Sequence, residues 1–211
     1  MKIRLMQKIM GDNKAMAEEN RGIFAAAGVR MINIMASPGA GKTSVISAIL
    51  NKLRDEIPMG VIEGDIASSI DAEKVEKLGF PAVQINTGGG CHLDANVIRE
   101  AYNELGVPSG MIFIENVGNL ICPSSFDLGE SLRVVISSVP EGDDKPFKYL
   151  SMFAKADVVV LNKCDLMPYI DFKLENFKKG LYAINTQNAP LFIVSCTTGE
   201  GIDEMVEFLR N

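Results

Sequence analysis

No apolar run in this sequence approaches the ~18 residues that a membrane-spanning helix needs. No long basic run accompanies its formal net charge of −6. The first absence argues against a membrane protein, and the second against nucleic acid or an anionic membrane as partner. Lys2 and Arg4 are not followed by an apolar core and a small-residue cleavage site, so no secretory signal is read and a cytoplasmic location is expected. Cysteine is scarce and scattered (Cys91, Cys122, Cys164 and Cys196), a pattern of free thiols or metal ligands rather than of disulfides. Tryptophan is absent and aromatics are few, which excludes nothing. Residues 1–27 contain neither cysteine nor histidine, so that segment is no thiol or imidazole metal site. What is present, 47% hydrophobic and 23% charged residues over 211 positions, suffices for one domain with a sizeable core.

Apolar positions at helical spacing (Ile3, Met6, Met10, Met16, Ile23, Phe24) predict one helix over residues 1 to about 27, with a candidate break at Gly11-Asp12-Asn13 and a glycine stop at Gly28. It is expected to be an N-terminal helical extension (1–28) packed on the outside of a main domain over 29–211. In that domain apolar runs at 31–35, 59–63, 82–86, 111–115, 133–138, 157–161 and 191–194 read as strands. Helices fit at 42–55, 69–78, 92–105, 146–154, near 171–184 and at 201–210. Most of the strand runs are continuously apolar, which means burial on both faces. The alternation therefore predicts an α/β fold: a doubly wound, mostly parallel seven-stranded sheet with helices on both faces. Ligands of such sheets sit beyond the carboxyl ends of the strands.

The first of those ends carries Ala36-Ser37-Pro38-Gly39-Ala40-Gly41-Lys42-Thr43-Ser44. Strand, small-residue loop, Gly-Lys-Thr and helix make a phosphate cradle: loop N–H groups and the helix N-terminus face anionic oxygens, Lys42 supplies a point charge and the Thr43 hydroxyl suits Mg²⁺. The usual pattern opens with glycine; Ala36 is tolerated there only if its φ stays negative. After the second strand, Asp65 in Glu63-Gly64-Asp65-Ile66 is placed to approach Mg²⁺ or the attacking water. The plainer alternative is a carboxylate near a helix N-terminus, with Ser68, Ser69 and Asp71 following. After the fourth strand, Glu115-Asn116-Val117-Gly118 matches the switch of GTP-hydrolysing domains, in which a carboxylate holds Mg²⁺ and a glycine N–H meets the γ-phosphate.

After the sixth strand stands Asn162-Lys163-Cys164-Asp165. Asp165 can accept both hydrogens of guanine N1 and the 2-amino group, a donor pair that adenine lacks. The Lys163 stem lies along the loop and base, and Asn162 ties the loop together. Ser195 and Cys196 occupy the place of a supporting loop, with Thr197 where lysine is common. GTP is therefore expected over ATP. Cys164 and Cys196 read as packing residues of the base pocket.

A glycine-rich loop after the third strand presents Cys91-His92 at the start of a helix, where a helix N-terminus favours thiolate. Cys122 stands just downstream of Gly118. Two thiolates and one imidazole suit Zn²⁺ or Ni²⁺, with water or a second protomer completing the shell. Alternatively, both cysteines are buried small hydrophobes and His92 a helix cap.

Taken with Phe126-Asp127-Leu128-Gly129-Glu130 and Glu141-Gly142-Asp143-Asp144-Lys145-Pro146, these segments resemble the hydrogenase nickel-incorporation GTPases, the HypB family of SIMIBI-class P-loop proteins. The resemblance runs from about residue 18 to the end of the chain. It implies a GTPase that forms a homodimer on GTP binding and carries Ni²⁺ or Zn²⁺ on Cys91, His92 and Cys122 at the subunit interface. The metal would go to the large subunit of a nickel–iron hydrogenase with a zinc-binding HypA-type partner. Lys42, Asp65 and Glu115 are the expected catalytic set, with Thr43, Asp65 and Glu115 around Mg²⁺. Slow hydrolysis is expected, since no arginine finger or catalytic glutamine is identifiable, and release of the metal is expected to follow loss of the γ-phosphate. The Cys-Pro-His motif of the related urease-maturation GTPases is missing, as are an N-terminal Cys-rich motif and a His-rich tract; a separate N-terminal nickel site is not expected. Competing readings are another metal-delivery GTPase, a regulatory switch with structural thiols, and an ATP-using small kinase.

Overall fold

The computed structural model describes residues 2–65 and 70–211, residues 2–9 by their backbone alone. Ser68 and Ser69, and the side chains of Ile3 and Met6, lie outside what is described. All seven expected strands form: β1 (Val29–Ala36), β2 (Met59–Asp65), β3 (Ala82–Asn86), β4 (Gly110–Glu115), β5 (Leu132–Ser138), β6 (Val158–Asn162) and β7 (Leu191–Ile193). They make one sheet in the order β3-β2-β4-β1-β5-β6-β7, every pair parallel.

The continuous apolar runs are explained by burial on both sides. In β4, Met111 and Phe113 face one core together with Val45, Ile46, Ile49 and Leu53 of α2 (Lys42–Leu53) and Met205 of α8 (Ile202–Arg210). Ile112 and Ile114 face the other side, against Phe24 of α1 (Lys2–Ala26) and Ile98 and Leu105 of α4 (Ala95–Leu105). Met152 and Phe153 of α6 (Leu150–Ala154) and Phe177 and Leu181 of α7 (Leu174–Ile184) continue that second side over β5 and β6. Each of these large buried side chains contributes about 2 kcal/mol of burial.

Four local expectations are corrected. Helix α1 runs unbroken through Gly11-Asp12-Asn13, because tertiary bonds to Asn13 anchor that turn. On the same helix Phe24 is buried but Ile23 is exposed. Helix α4 begins at Ala95 rather than 92, since the Asp94 carboxylate caps it by accepting from Asn96 N and Val97 N. The helix expected over 146–154 is two short pieces, α5 (Lys145–Lys148) and α6, separated by Tyr149 at φ −117 and ψ 55. Helix α3 (Ile70–Lys77) covers the stretch expected at 69–78.

Register decides what the strand ends place together. Ile34 of β1 stands beside Glu115 of β4, and Glu115 beside Glu63 of β2. Ser138 of β5 pairs with Asn162 of β6. The phosphate-loop motif, the switch carboxylate and the base-reading motif therefore share one edge of the sheet.

Candidate functional site

β1 ends at Ala36, fully buried and in strand conformation, so the methyl group meets its condition there and the missing first glycine costs nothing in backbone strain. The turn itself is made by Gly39 (φ +79) and Gly41 (φ +99), and α2 starts at Lys42. A Cβ on Gly41 would collide with Asn162 Nδ2. That closeness is functional in form: Asn162 Nδ2 donates to Ala40 O at 3.0 Å, and Lys163 Nζ donates to Gly39 O at 2.7 Å. Lys163 is held at φ +60, its N–H donating to Asn162 Oδ1 at 2.8 Å. The base-reading segment is thus bonded directly to the phosphate loop.

Asp165 stands half-buried in the turn that follows β6. Burial pushes the thiols of Cys164 and Cys196 up to about 11, with the Asp165 charge adding to both, so these cysteines stay protonated beside it. Ser195, fully buried, accepts from Thr197 N and Thr198 N and fixes the supporting loop.

At the phosphate end a cavity of about 270 Å³ is lined by Pro38, Gly39, Lys42, Asp65, Glu115 and Gly118, and also by Glu63 and Asp71. Thr43 Oγ1 donates to Glu115 Oε1 at 3.0 Å, and Lys42 Nζ lies 3.9 Å from the same oxygen. A Cβ on Gly118 would stand 3.1 Å from Pro38 Cγ, so the switch lies directly on the phosphate loop. Ser44, in the first turn of α2, is exposed. Ser37 is engaged elsewhere: its hydroxyl donates to Glu141, whose other oxygen accepts from Ser138 N and Oγ at 2.8 Å.

Two carboxylates in this site escaped the sequence reading. Glu141 also meets Lys145 Nζ at 3.3 Å and so joins the phosphate loop to the turn after β5. Glu63 is buried beside Glu115, and burial first, then the Glu115 charge, raise its carboxyl from the ordinary 4.5 to about 10. Burial raises Glu115 as well, opposed by Lys42 and Thr43, so the proton of the pair rests on Glu63. A glutamate interrupting the apolar run Val61-Ile62-Glu63 was the available signal, since buried charge inside a strand is costly without a function. Glu63 Oε1 and Glu115 Oε2 are buried without hydrogen-bond partners. Glu63, Asp65 and Glu115 line the phosphate-end cavity with oxygen atoms, the donor type a hard divalent cation such as Mg²⁺ takes, without converging on one metal position among the described residues.

The thiol site is assembled only in part. Cys91 Sγ lies 3.6 Å from His92 Nδ1, and the Cys122 thiol is close enough to Cys91 to shift its titration. The expectation of a thiolate favoured by a helix N-terminus is corrected: α4 begins beyond Cys91, and the neighbouring Cys122 thiol, then burial, push the Cys91 thiol up. His92 stacks on Phe126 with ring centroids 3.7 Å apart, and burial lowers its pKa. It is not the helix cap, which is Asp94. Among the described residues no three Cys, His, Asp or Glu side chains stand converged on a metal position.

The raised Glu63 carboxyl gives a pH dependence of definite sign. The folded chain holds a proton that the unfolded chain has lost between pH 4.5 and about 10, so stability without nucleotide falls as pH rises through that window. Glu63→Gln is expected to flatten the fall and raise the melting temperature at its alkaline end. Calorimetry across the window checks this; parallel curves for the two proteins contradict it.

Comparison with known proteins places this geometry. The CobW/HypB/UreG nucleotide-binding domain matches residues 30–192. Over 203 residues the chain is 45% identical to hydrogenase maturation factor HypB of Escherichia coli K12, covering 96% of this chain and 70% of that protein. The fold superposes on the crystal structure of HypB from Archaeoglobus fulgidus with a TM-score of 0.88 at 39% identity, covering 95% of this chain and 98% of that one. It superposes on HypB from Helicobacter pylori in complex with nickel with a TM-score of 0.89 at 35% identity, covering 94% of each. The chain therefore belongs to the CobW/HypB/UreG family of P-loop nucleotide-binding proteins, and within it to the HypB hydrogenase maturation factors.

Proposed function

We propose that this chain hydrolyses GTP and uses the nucleotide's state to hold and hand over nickel during hydrogenase maturation. The observation that carries the reading is the course of residues 115–122. This segment begins on a buried carboxylate at the phosphate cradle, lays Gly118 on Pro38, and ends at Cys122, whose thiol is close enough to Cys91 to raise that thiol's pKa. One short stretch thus runs from the phosphate loop to the thiols, which supports a link between nucleotide state and the thiol site. The nickel complex of the Helicobacter pylori relative supports nickel as the cargo, and two thiols with one imidazole accept Zn²⁺ equally.

In this reading Lys42 and the loop amides bind the β- and γ-phosphates, and Asp165 selects guanine by accepting two hydrogen bonds. Thr43, Asp65 and Glu115 are the residues that would hold Mg²⁺, with Glu63 behind Glu115; the ion would neutralise charge on the phosphates. Among the described residues the cavity lining holds no arginine or glutamine to stabilise or orient the attacking water, which supports slow hydrolysis until a partner completes the site. Gly118 N–H reports the γ-phosphate, and its loss releases the segment that leads to Cys122. Neutral His92 and protonated Cys91 imply that metal uptake displaces thiol protons.

The partly assembled ligand set supports closure by a second copy, which fits a homodimer formed on GTP binding. A HypA-type zinc protein and the hydrogenase large subunit are the proposed partners, in the cytoplasm. Residues 1–28 are proposed as the extension and 29–211 as the GTPase domain.

Two variants test the halves of this reading separately. Asp165→Asn is expected to weaken GTP binding by roughly a hundredfold, two charge-assisted bonds being lost, and to favour xanthosine triphosphate, while nickel binding persists. Cys122→Ala is expected to abolish tight nickel binding with GTP affinity unchanged. Calorimetric titration of both ligands into both variants checks this. Retained nickel affinity in Cys122→Ala contradicts the metal half, and retained preference for GTP in Asp165→Asn contradicts the nucleotide half.

A further inference from the structure

The sequence of helix α1 holds no cysteine or histidine, yet one face of it reaches both thiol-bearing segments. Asn13 and Asn20 are seven residues apart, two turns along that face. Asn13 Nδ2 donates to Asp127 O at 2.8 Å, while its Oδ1 accepts from Ala95 N–H at 2.9 Å. Asn20 Nδ2 donates to Ala95 O at 2.7 Å and to Leu128 O at 3.0 Å. Each amide therefore straddles the same two places in the backbone, residue 95 and residues 127–128. Ala95 follows His92 by three positions and Cys91 by four; Asp127 follows Cys122 by five.

These bonds are not interchangeable with solvent. The first N–H groups of α4 lack helical partners. The Asp94 carboxylate takes those of Asn96 and Val97, and Asn13 takes that of Ala95. Asn20 is fully buried, and Arg99 Nε donates to its remaining oxygen. Arg21 grips both oxygens of Asp127 at 2.9 and 3.0 Å. Gly129 (φ +86) has no room for a side chain, its Cβ position lying 2.6 Å from Ala17 O, so this segment lies directly on α1. By comparison, the direct links between the two thiol segments include a ring stack, His92 on Phe126, and a long contact of 3.5 Å from Asn119 to Cys91 O.

We propose that Asn13 and Asn20 are positioning residues: α1 staples the stem of the Cys91–His92 loop to the stem of the Cys122 segment and so sets the separation of the two thiols. Under the metal reading above, on which this part rests, the staple also sets metal affinity, because groups that hold ligands in place are worth about tenfold or more in binding.

The separation of the thiols is measurable without metal. The full chain is treated with dibromobimane, which bridges two neighbouring thiols, and the Cys91–Cys122 cross-link is followed by peptide mass spectrometry. Nickel affinity by chelator competition, GTP affinity and melting temperature are measured on the same proteins. Asn13 is only half-buried, so Asn13→Ala is expected to fold, bridge severalfold more slowly and bind nickel about tenfold more weakly, with GTP affinity unchanged. Asn13→Asp keeps the acceptor for Ala95 N–H but loses the donor to Asp127 O, and should fall between. Lys14→Ala, at the exposed neighbouring position, should match the unsubstituted protein. An unchanged bridging rate in Asn13→Ala overturns the staple, and slower bridging with unchanged nickel affinity overturns its effect on metal binding. If the unsubstituted protein takes up no nickel while Asn13→Ala still bridges slowly, the staple stands and the metal reading falls.

Discussion

Glu115 ends a buried strand with 4% of its surface exposed, next to a second buried glutamate and under the first turn of the phosphate-loop helix. A carboxylate in such surroundings is stable only while something shares its charge. Here Thr43 donates to it, Lys42 approaches it, and the proton on Glu63 keeps the pair from carrying two charges. A divalent cation and a triphosphate would replace that arrangement altogether. The strand itself is pinned on both sides by parallel pairing with β1 and β2, and Asn116 N still donates to Ile34 O, so a change at Glu115 is passed on to residues 117–122, which follow the end of the ladder. Both halves of the proposed activity depend on this one placement.

The fold was legible because its information is local. Seven apolar runs of strand length, alternating with helical stretches, leave little besides a parallel sheet, and the strand-end motifs then fall on one edge by topology alone. Ala36 looked like a defect in the phosphate loop and is not one, since the position is still strand. Helix boundaries were less legible where a side chain decides them: Asp94, not His92, starts α4, and with that shift the argument for a thiolate at Cys91 disappears.

What the sequence hid is what depends on register and on distant partners. Glu63 gains its meaning from standing beside Glu115, a neighbour 52 positions away that only strand pairing supplies. Glu141 belonged to a motif without a role until Ser37 was found on it. In the sequence Asn13 stood only in a candidate break of α1, Asn20 carried no reading, and the helix was expected to be an extension packed on the outside of the domain. Its amides instead reach two backbone points on either side of the thiol site, which spacing along one helix cannot reveal.

The central claim is that nucleotide state and metal affinity are two readings of one segment, and linkage requires the effect to be reciprocal. The most direct measurement is nickel affinity of the same protein saturated with a non-hydrolysable GTP analogue and with GDP, with oligomeric state followed in parallel by sedimentation. The account predicts tighter nickel binding and dimer formation in the GTP-analogue form, and loss of that difference when GDP is bound. Equal affinities and equal oligomeric state in the two forms would contradict it.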